Sequence, residues 1–329
     1  MKLYILYGCD DAYAPYTGIS ITSLFENNPN DDITVYLAGL DISEENKERF
    51  ETLSRQYGHP IVFLDTKRAR EQIIDMKCGT WNGSLAAWLR FFVLDQIPEH
   101  VDTLIWLDSD TIIDEKFAAI ISGNHQNMAL SAVCDCLSIR ERYRLGLKET
   151  DPYYNSGVIV FHLPYWRKND VIRRMMENLK DHVDQYLIPD QDMMNDFFRG
   201  CIQRLPPAFN VQGFLFAYTL RDYYSVYNWN TNAYYAPKDL KQALDRPIIT
   251  HFFRFLGDYP WTRGNNYHPC KALYEEWREK SPWKDHPGAP PRKELSFQAE
   301  KFLYRILPRN VFLRFFTWYT NRHLPKAPQ

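Results

Sequence analysis

Two kinds of hydrophobic periodicity alternate along the first 160 or so residues of the chain. Short apolar runs with the composition of interior strands occur at residues 2–8, 33–39, 61–65, 103–108, 128–135 and 157–163. Segments with helical spacing or helix-start residues occur at 15–28, 43–58 and 84–97, and a long helix is expected over roughly 166–186. This alternation predicts an α/β fold with a mainly parallel sheet and helices on both faces. Such sheets bind ligands at the carboxyl ends of their strands.

Acidic residues follow several of these predicted strands. In chain order they are Asp10, Asp11, Asp65, Asp108, Asp110 and Asp135. Asp108 and Asp110 are one residue apart at the end of an apolar run, so on an extended chain their side chains share a face. Two carboxylates this close repel each other and lose hydration, which predicts a divalent cation between them. A helix cap or a solvated loop would also account for this pair, and the segment alone leaves that alternative open.

Three later segments place polar residues beside apolar runs. In "YYNSGVIVFHL" (153–163), Asn-Ser-Gly predicts a tight turn before a strand, either open to a ligand or ordinary. In "IPDQDMMNDFF" (188–198), acids stand at a helix start, where the helix dipole favours them in any case. "PIITHFFRFLGDYPW" (247–261) ends an apolar run in His251, a structural residue or a ligand. No P-loop or dinucleotide glycine motif occurs, so a bound diphosphate would depend on a cation.

Composition narrows the class of protein. The 329 residues are 45% hydrophobic and 24% charged, and the net charge of −2 argues against a nucleic-acid partner. The six cysteines include no C-x-x-C pair, so free thiols in a reducing compartment are expected rather than a zinc site or a disulfide framework. The first residues lack the apolar core and cleavage site of a signal peptide, and no run approaches a membrane span. We therefore expect a cytoplasmic protein.

The ordered set of motifs resembles one enzyme family. "GCDDAY", an Arg in the helix before the fourth strand, "LDSD", "YYNSGV", "PDQD" and "THF…G…PW" together resemble the family 8 retaining glycosyltransferases of the GT-A fold, which is Rossmann-like with a mixed, mainly parallel sheet. The chain is most similar to the bacterial lipopolysaccharide galactosyl- and glucosyltransferases, a likeness that extends to residues 270–283. The resemblance covers about residues 1–285, which we take as the catalytic domain. It implies metal-dependent, retaining transfer of galactose or glucose from a UDP-sugar to a lipopolysaccharide- or lipooligosaccharide-type acceptor.

Carried onto this sequence, the resemblance implies three groups of site residues. Asp108, Asp110 and His251 would bind Mn²⁺, with Mg²⁺ as the alternative. Asp190 and Gln191 would be catalytic, with Gln191 on the β face of the anomeric carbon. The substrate-binding residues would be Gly8, Asp10 and Tyr13 for uracil and ribose, and Arg90, Ser109, Asp135, Asn155, Ser156 and Gly257 for the rest of the donor and the acceptor hydroxyls.

One departure from the family pattern concerns the diphosphate. The family commonly has a Lys directly before the Pro-Trp pair, and this chain has Tyr259 there. The segment between His251 and Gly257 is also longer than usual. Arg254 or Arg263 would then supply the missing positive charge, or the phosphates would depend more on the cation.

The sequence leaves alternatives open for the mechanism and for the class of function. Retention requires two displacements or attack on the face that UDP leaves. Gln191 is a poor nucleophile with no evident base beside it, so we expect same-face attack, with the departing phosphate oxygen accepting the proton. A non-catalytic nucleotide-sugar-binding protein on the same fold is the competing class. A nucleotidyltransferase would need a basic loop for a triphosphate, and none is visible.

The end of the chain forms a distinct segment, residues 286–329. From residue 292 onward it has eight Lys or Arg and two Glu, a formal charge of +6, while the rest of the chain carries −8. Eight aromatic residues are interleaved with these charges between 293 and 326, with a break at Pro308. This pattern predicts two amphipathic helices on the anionic inner face of the bacterial cytoplasmic membrane, near a lipid-linked acceptor. Packing on the catalytic domain or a dimer contact is the alternative.

Overall fold

A computed structural model describes residues 1–81, 83–121, 127–135, 139–222 and 233–322. Its ten strands are β1 (Lys2–Asp10), β2 (Asp32–Leu40), β3 (Ile61–Leu64), β4 (Thr103–Leu107), β5 (Thr111–Ile113), β6 (Leu130–Cys134), β7 (Tyr154–His162), β8 (Ile202–Arg204), β9 (Val211–Gln212) and β10 (Ile249–His251). Seven form a central sheet in the order β3-β2-β1-β4-β7-β6-β8. Only β7 runs against its neighbours β4 and β6, and the other four pairings are parallel. The predicted mainly parallel α/β sheet is confirmed.

Helices cover the sheet. They are α1 (Ala14–Asn27), α2 (Glu44–Tyr57), α3 (Lys67–Asp75), α4 (Leu89–Phe92), α5 (Ile139–Arg144), α6 (Leu163–Lys168), α7 (Val171–His182), α8 (Pro189–Phe197), α9 (Pro237–Asp245), α10 (Lys271–Lys280), α11 (Leu295–Ile306) and α12 (Arg309–Arg322). The signals at the ends of α2 act as expected: the Ser43 side chain accepts from the N–H of Asn46, and Gly58 ends the helix at φ 70°. Helix α1 is buried from Ala14 to Phe25.

Three predicted boundaries differ from the structure. Residues 84–97 form two 3₁₀ turns around the four-residue α4, because Val93 leaves the helical conformation. The helix expected over 166–186 is broken at Asp170, which has φ 48° and separates α6 from α7. The Asn-Ser-Gly segment lies inside β7 rather than in a turn before it, since β7 already begins at Tyr154.

A small second sheet brings two distant motifs together. Strand β10 pairs antiparallel with β5, so that His251 lies opposite Thr111, and parallel with β9. The N–H of Phe252 donates to the carbonyl of Asp110 at 2.7 Å. Strand β5 directly follows the acid pair, so this pairing fixes the end of β10 beside Asp110.

The last two helices pack on the loop that follows β10. Phe312 and Leu313 of α12 are buried against Phe255 and Leu256 of that loop. Lys301 of α11 pairs with a buried carboxylate of the same loop at 2.7 Å. The opposite side of these helices is exposed at Leu295, Phe302, Ile306, Val311, Phe315 and Trp318. No helix among the described residues has the length and apolar character needed to cross a membrane, and residues 323–329 lie outside the description.

Cysteine chemistry is simple in the described part of the chain. Cys9, Cys78, Cys134, Cys201 and Cys270 are free thiols. Cys136 lies outside the described residues.

Candidate active site

Two cavities meet at the carboxyl end of β4. The first, here called the β1 cavity, has a volume of about 250 Å³ and is lined by Gly8, Cys9, Asp10, Ala12, Tyr13, Gly83, Ser84, Ala86, Trp106 and Ser109. The second, the β7 cavity, has a volume of about 240 Å³ and is lined by Asp135, Asn155, Ser156, Ile188, Asp190, Gln191, His251 and Phe253. Six residues line both: Trp81, Ala87, Arg90, Asp108, Asp110 and Tyr259. The acid pair therefore forms part of the wall that the cavities share.

Asp108, Asp110 and His251 converge in this shared region. One ligand atom from each lies within 4.8 Å of the other two. Nε2 of His251 is 3.1 Å from Asp110 Oδ1 and 3.9 Å from Asp108 Oδ2. Burial acts to lower the pKa of His251, but the nearby carboxylates, Asp110 foremost, raise it above its ordinary value. The three residues form a group that can hold a divalent cation.

Arg90 holds the carboxylate of Asp108 in place. Its Nη2 donates to Asp108 Oδ1 at 3.0 Å, and the same oxygen accepts from Trp106 Nε1 at 2.7 Å. Its guanidinium lies 4.6 Å from the centre of the Trp106 ring and also bonds the carbonyl of Ser156. Asp190 Oδ2 lies 3.3 Å from Arg90 Nε. Arg90 is thus a buried cation shared by two carboxylates, and it leaves Asp108 Oδ2 directed at the cluster.

Asp190 has an altered protonation equilibrium. Burial raises the pKa of its carboxyl, the Arg90 guanidinium lowers it, and the negative charge of Asp108 raises it again, with a net rise. The residue is only 4% exposed and lines the β7 cavity.

The side chain of Gln191 makes five hydrogen bonds, the longest of them from the Ser156 hydroxyl at 3.4 Å. Its Oε1 accepts from the N–H of Ser156 at 2.9 Å and from Asn155 Nδ2 at 3.1 Å. Its Nε2 donates to Asp135 Oδ2 at 2.9 Å and lies 3.2 Å from the Tyr153 hydroxyl. Because a backbone N–H can only donate, the direction of this amide is fixed. Gln191 presents a fixed dipole to the β7 cavity.

The remaining predicted residues of the β1 cavity are held by local bonds. Asp10 Oδ1 accepts from the N–H of Tyr13 at 3.1 Å, at the start of α1. The Ser109 hydroxyl donates to the carbonyl of Gly8 and accepts from Thr17 at 2.8 Å. Burial raises the pKa of Tyr13 to about 12, with a further rise from Asp110 and an opposing effect of Arg254.

Only one of the two candidate arginines lies beside the site. The Arg254 guanidinium is 5.0 Å from the centre of the Tyr259 ring, and Tyr259 lines both cavities. The N–H of Arg263 donates to the carbonyl of Ala289 at 2.9 Å, and Arg263 lines neither cavity. Arg254 is thus the nearer of the two to the shared wall.

The sequence of this chain matches a known family. The family model described as glycosyl transferase family 8 matches residues 4–263. The chain belongs to glycosyltransferase family 8. Its predicted family and GT-A fold are confirmed.

Several known proteins and solved structures resemble most of the chain. The lipopolysaccharide 1,3-galactosyltransferase of Salmonella typhimurium is 26% identical over 292 residues, which cover 86% of this chain and 79% of that protein. General stress protein A of Bacillus subtilis is 23% identical over 285 residues, covering 85% and 94%. A crystal structure of the galactosyltransferase LgtC with donor and acceptor sugar analogues has a TM-score of 0.69 at 21% identity, covering 85% of this chain and 95% of that one.

Two residues that the sequence placed near the site lie elsewhere: Gly257, expected there from the family resemblance, and Asp65, expected there because it follows a predicted strand. Gly257 lines neither cavity: it has φ 80°, and a Cβ on it would lie 2.5 Å from the ring of Phe297 in α11. It serves a turn that faces the terminal helices. Asp65 follows β3 at the edge of the sheet, where it lines a separate cavity with Arg68 and Gln96. Two strands separate β3 from β4, so Asp65 does not reach the acid pair.

Sequence reasoning missed several residues of the site. Trp81 and Trp106 line the cavities. In the sequence, however, Trp81 is an isolated aromatic residue, as is typical of a loop. Trp106 lies within an apolar run, as is typical of a buried core. Asn210 and Gln212 bond His251 and Asp135 from behind, at 3.0 Å in both cases. Their signal was the alternation of two amides around buried Val211, which predicts a very short strand with one polar face.

Proposed function

We propose that the chain transfers a hexose, galactose or glucose, from a UDP-hexose to a saccharide acceptor of lipopolysaccharide type, with retention of the anomeric configuration. The observation that carries the proposal is the pair of cavities that share Asp108 and Asp110 as a wall. A nucleoside diphosphate sugar has two bulky ends joined by a diphosphate, and this arrangement offers one cavity to each end. Similarity to a lipopolysaccharide galactosyltransferase and to a glucosyltransferase supports the donor and acceptor classes.

The cluster fits a divalent cation, and we propose Mn²⁺. Two carboxylate oxygens and one imidazole nitrogen face one another within 4.8 Å, and a nitrogen ligand suits Mn²⁺ better than Mg²⁺. Asp108 can offer one oxygen because its other oxygen is already bonded to Trp106 and Arg90. When bound, such a cation would stabilise the negative charge that grows on the leaving diphosphate.

The nucleoside end of the donor fits the β1 cavity. Gly8 allows the Trp106 ring, which lines this cavity, to pack closely against the backbone of β1, since a Cβ on Gly8 would lie 2.6 Å from that ring. Asp10, Tyr13 and Trp81 line the same cavity and offer one carboxylate and two aromatic rings to ribose and uracil. Arg254, beside Tyr259, would supply the positive charge for the diphosphate at the shared wall.

The hexose would occupy the β7 cavity, and its polar lining favours same-face attack. Asp135 accepts hydrogen bonds from Gln191, Asn155 and Gln212, and Asp190 is paired with Arg90. Neither carboxylate is therefore placed as a free nucleophile. Gln191, held by five side-chain hydrogen bonds, would stabilise positive charge at the anomeric carbon through its dipole. The departing phosphate oxygen would then accept the acceptor's proton.

Product analysis tests the proposal. UDP-glucose and UDP-galactose are each incubated with Mn²⁺ and a truncated lipopolysaccharide, and UDP release and product linkage are measured. Acceptor-dependent UDP release with an α-linked product, judged from the NMR anomeric coupling, is the expected result. A β-linked product would contradict retention. Binding of UDP-sugar without turnover on any acceptor would instead support a non-catalytic binding protein.

The exposed side of α11 and α12 is the surface we propose for membrane attachment. Six apolar side chains are exposed there, and Lys293, Arg305 and Arg314 are exposed on the same two helices or at their start. Basic residues near anionic lipid contribute on the order of 1 kcal/mol each, and aromatic rings enter the headgroup region.

Vesicle sedimentation tests the membrane surface. The double variant Phe302→Glu with Trp318→Glu is expected to remain folded, because both side chains are exposed, and to lose binding to anionic vesicles. High salt should release the unchanged protein in part. Vesicle binding by the double variant equal to that of the unchanged protein would refute this surface.

A further inference from the structure

Two amide side chains connect the backbone of β7 to the imidazole of His251. Asn155 Oδ1 accepts from the N–H of Gly157 at 2.9 Å and from Asn210 Nδ2 at 2.8 Å. Asn210 Oδ1 in turn lies 3.0 Å from His251 Nδ1. On the other side of the ring, Nε2 faces Asp110 Oδ1 at 3.1 Å. The Gly157 N–H, Asn155, Asn210 and His251 thus form an unbroken chain, here called the amide relay.

The backbone N–H of Gly157 fixes the direction of every bond in the amide relay. Because that group can only donate, the atom of Asn155 that faces it is the amide oxygen. This oxygen can bond Asn210 only through the Asn210 NH₂ group, so the Asn210 oxygen faces the imidazole. A carbonyl oxygen there requires a proton on Nδ1 of His251. Nε2 is then the nitrogen whose lone pair is available to a cation.

The absence of a side chain at Gly157 allows the amide relay to form. A Cβ built on Gly157 would lie 2.2 Å from His251 Cε1 and 2.9 Å from Asn155 Oδ1. Any larger residue would push the imidazole away from Asn210 or from the acid pair. The side chains of Asn155, Asn210 and His251 belong to residues that are 4%, 2% and 3% exposed. Bulk water therefore cannot readily replace a missing partner in the relay.

We propose that Asn155 and Asn210 are positioning residues that hold His251 with Nδ1 protonated and Nε2 directed at a divalent cation shared with Asp108 and Asp110. The inference rests on the proposed function, because it takes these three residues as cation ligands. A ligating imidazole is oriented by the hydrogen bond of its other nitrogen, and loss of that partner weakens metal binding by about 10–100-fold. Here the partner is a neutral amide whose direction is set by the backbone of a central strand.

A metal titration is the first test. Free Mn²⁺ is measured by electron paramagnetic resonance while the metal is titrated into the full-length protein with UDP at a fixed concentration. Asn210→Ala is expected to weaken Mn²⁺ binding by about 10–100-fold. Asn28→Ala is the matched control: it removes a fully buried amide directly after α1, outside both cavities, whose side chain bonds the carbonyl of Leu24 at 3.0 Å. Its Mn²⁺ affinity should stay close to that of the unchanged protein.

A spectroscopic measurement on the unchanged protein is the second test. Long-range ¹H–¹⁵N spectra of histidine-labelled protein with Mg²⁺ and UDP show which ring nitrogen carries the proton, and the spectrum of His251→Gln assigns the signal. We expect Nδ1–H in the unchanged protein. This measurement decides the question even if Asn210→Ala does not fold.

The outcomes separate the amide relay from the proposed function. A proton on Nε2 in the metal-bound protein overturns the relay, and so does unchanged Mn²⁺ affinity in a folded Asn210→Ala protein. If the unchanged protein binds neither Mn²⁺ nor UDP, the proposed function fails instead.

Discussion

The two sides of the candidate active site are supported in different ways. On the β7 side, amide side chains take their direction from backbone N–H groups of a central strand, as Gln191 does from Ser156. On the other side, Tyr259 stacks on Trp261 with ring centres 4.4 Å apart, and Trp261 stacks on Tyr16 at 4.3 Å. The loop that carries Tyr259 is in turn covered by the last two helices of the chain.

Because the two sides are supported differently, we expect them to affect different steps of the reaction. Strand β7 lies inside the main sheet, so its geometry is lost only when the sheet opens. The loop after β10 depends on stacked rings and on one ion pair, between buried Asp258 and Lys301. We therefore expect damage on the β7 side to slow the transfer step and damage on the Tyr259 side to weaken donor binding. The predictions below test this division, from the largest expected effect to the smallest.

Replacing a residue that both sides share should impair the transfer step and donor binding together. Asp110→Ala is expected to abolish turnover and to weaken UDP binding sharply in Mn²⁺, because the proposed cation links the diphosphate to the protein. Asp108→Ala and His251→Ala should do the same. Steady-state rates and calorimetry with UDP measure the two effects. Full activity in EDTA, or an unaffected Asp110→Ala enzyme, would be incompatible with the metal site.

A change confined to the β7 side should affect rate alone. Gln191→Ala is expected to lower kcat by about 10²-fold or more, since its dipole would act on charge in the transition state. Affinity for UDP should stay nearly intact, because the proposed contact is with the sugar. The measurements are kcat and the dissociation constant of UDP for the same preparation. Equal losses in both quantities would remove the proposed division between the sides.

A change confined to the Tyr259 side should affect donor affinity. Arg254→Gln is expected to weaken UDP binding by about tenfold, as for a lost hydrogen bond to a charged group, and to leave uridine binding unchanged. Arg263→Gln is the control from the same segment and should bind both ligands normally. Calorimetry with UDP and with uridine gives the comparison. A larger effect in Arg263→Gln would reverse the assignment.

The packing of the terminal helices against the loop after β10 can be weakened without changing a residue of the site. Lys301→Met leaves Asp258, which is 3% exposed, without its cation, and breaking such a pair lowers the free energy of unfolding by about 3 kcal/mol. Donor affinity should fall more than kcat. Lys293→Met, at an exposed position before the same helix, is the control. Denaturant unfolding and UDP binding are the measurements.

Truncation after Pro291 is the more drastic version of this experiment. Every site residue predicted from the sequence lies upstream of Pro291, so the sequence by itself predicts that the truncated chain folds and still binds UDP-sugar. Because Phe255 and Leu256 are buried against α12, we now expect it to fold with lower stability and weaker donor binding. Normal UDP affinity in the truncated chain would show that the loop stands without the terminal helices.

The smallest effect concerns a carboxyl outside both cavities. Burial raises the pKa of Asp114 to about 7 from 3.8, opposed by a hydrogen bond from Thr250. The folded state therefore holds a proton that the unfolded chain releases more easily, and this residue's contribution to stability is lost as the pH rises from about 4 to about 7. Asp114→Asn should gain stability relative to the unchanged protein over that range. Urea unfolding at pH 5 and pH 8 measures the change.

The sequence predicted those parts of the site that sit at the ends of strong local patterns. The acid pair follows a continuous apolar run, and His251 ends another, so both could be found from hydrophobic periodicity. The order of the motifs then supplied the family and the fold. Asp190 and Gln191 came from the same resemblance, and both line the β7 cavity.

The rest depended on tertiary pairing that a local pattern does not contain. Asn210 precedes and Gln212 ends the two-residue strand β9, and a single alternation around Val211 does not distinguish such a short strand from a loop. Asp65 follows a strand as Asp108 does, and only the order of strands in the sheet separates them. Gly257 was placed by resemblance in a segment whose length departs from the family, and there its backbone faces Phe297 instead of a ligand.

The reversed strand of the sheet has a consequence for how this protein can change over time. Because β7 runs against β4, the beginning of one strand and the end of the other share an edge, with Leu107 opposite Val158. The N–H of Asp108 is bonded to the carbonyl of Gly157 at 2.8 Å. Changes in length confined to residues 145–152, which lie between these points and line neither cavity, therefore leave the distance from Asp108 to Gly157 unaltered. That part of the chain can diverge among descendants while the arrangement of Asp108, Asp110 and β7 is inherited unchanged.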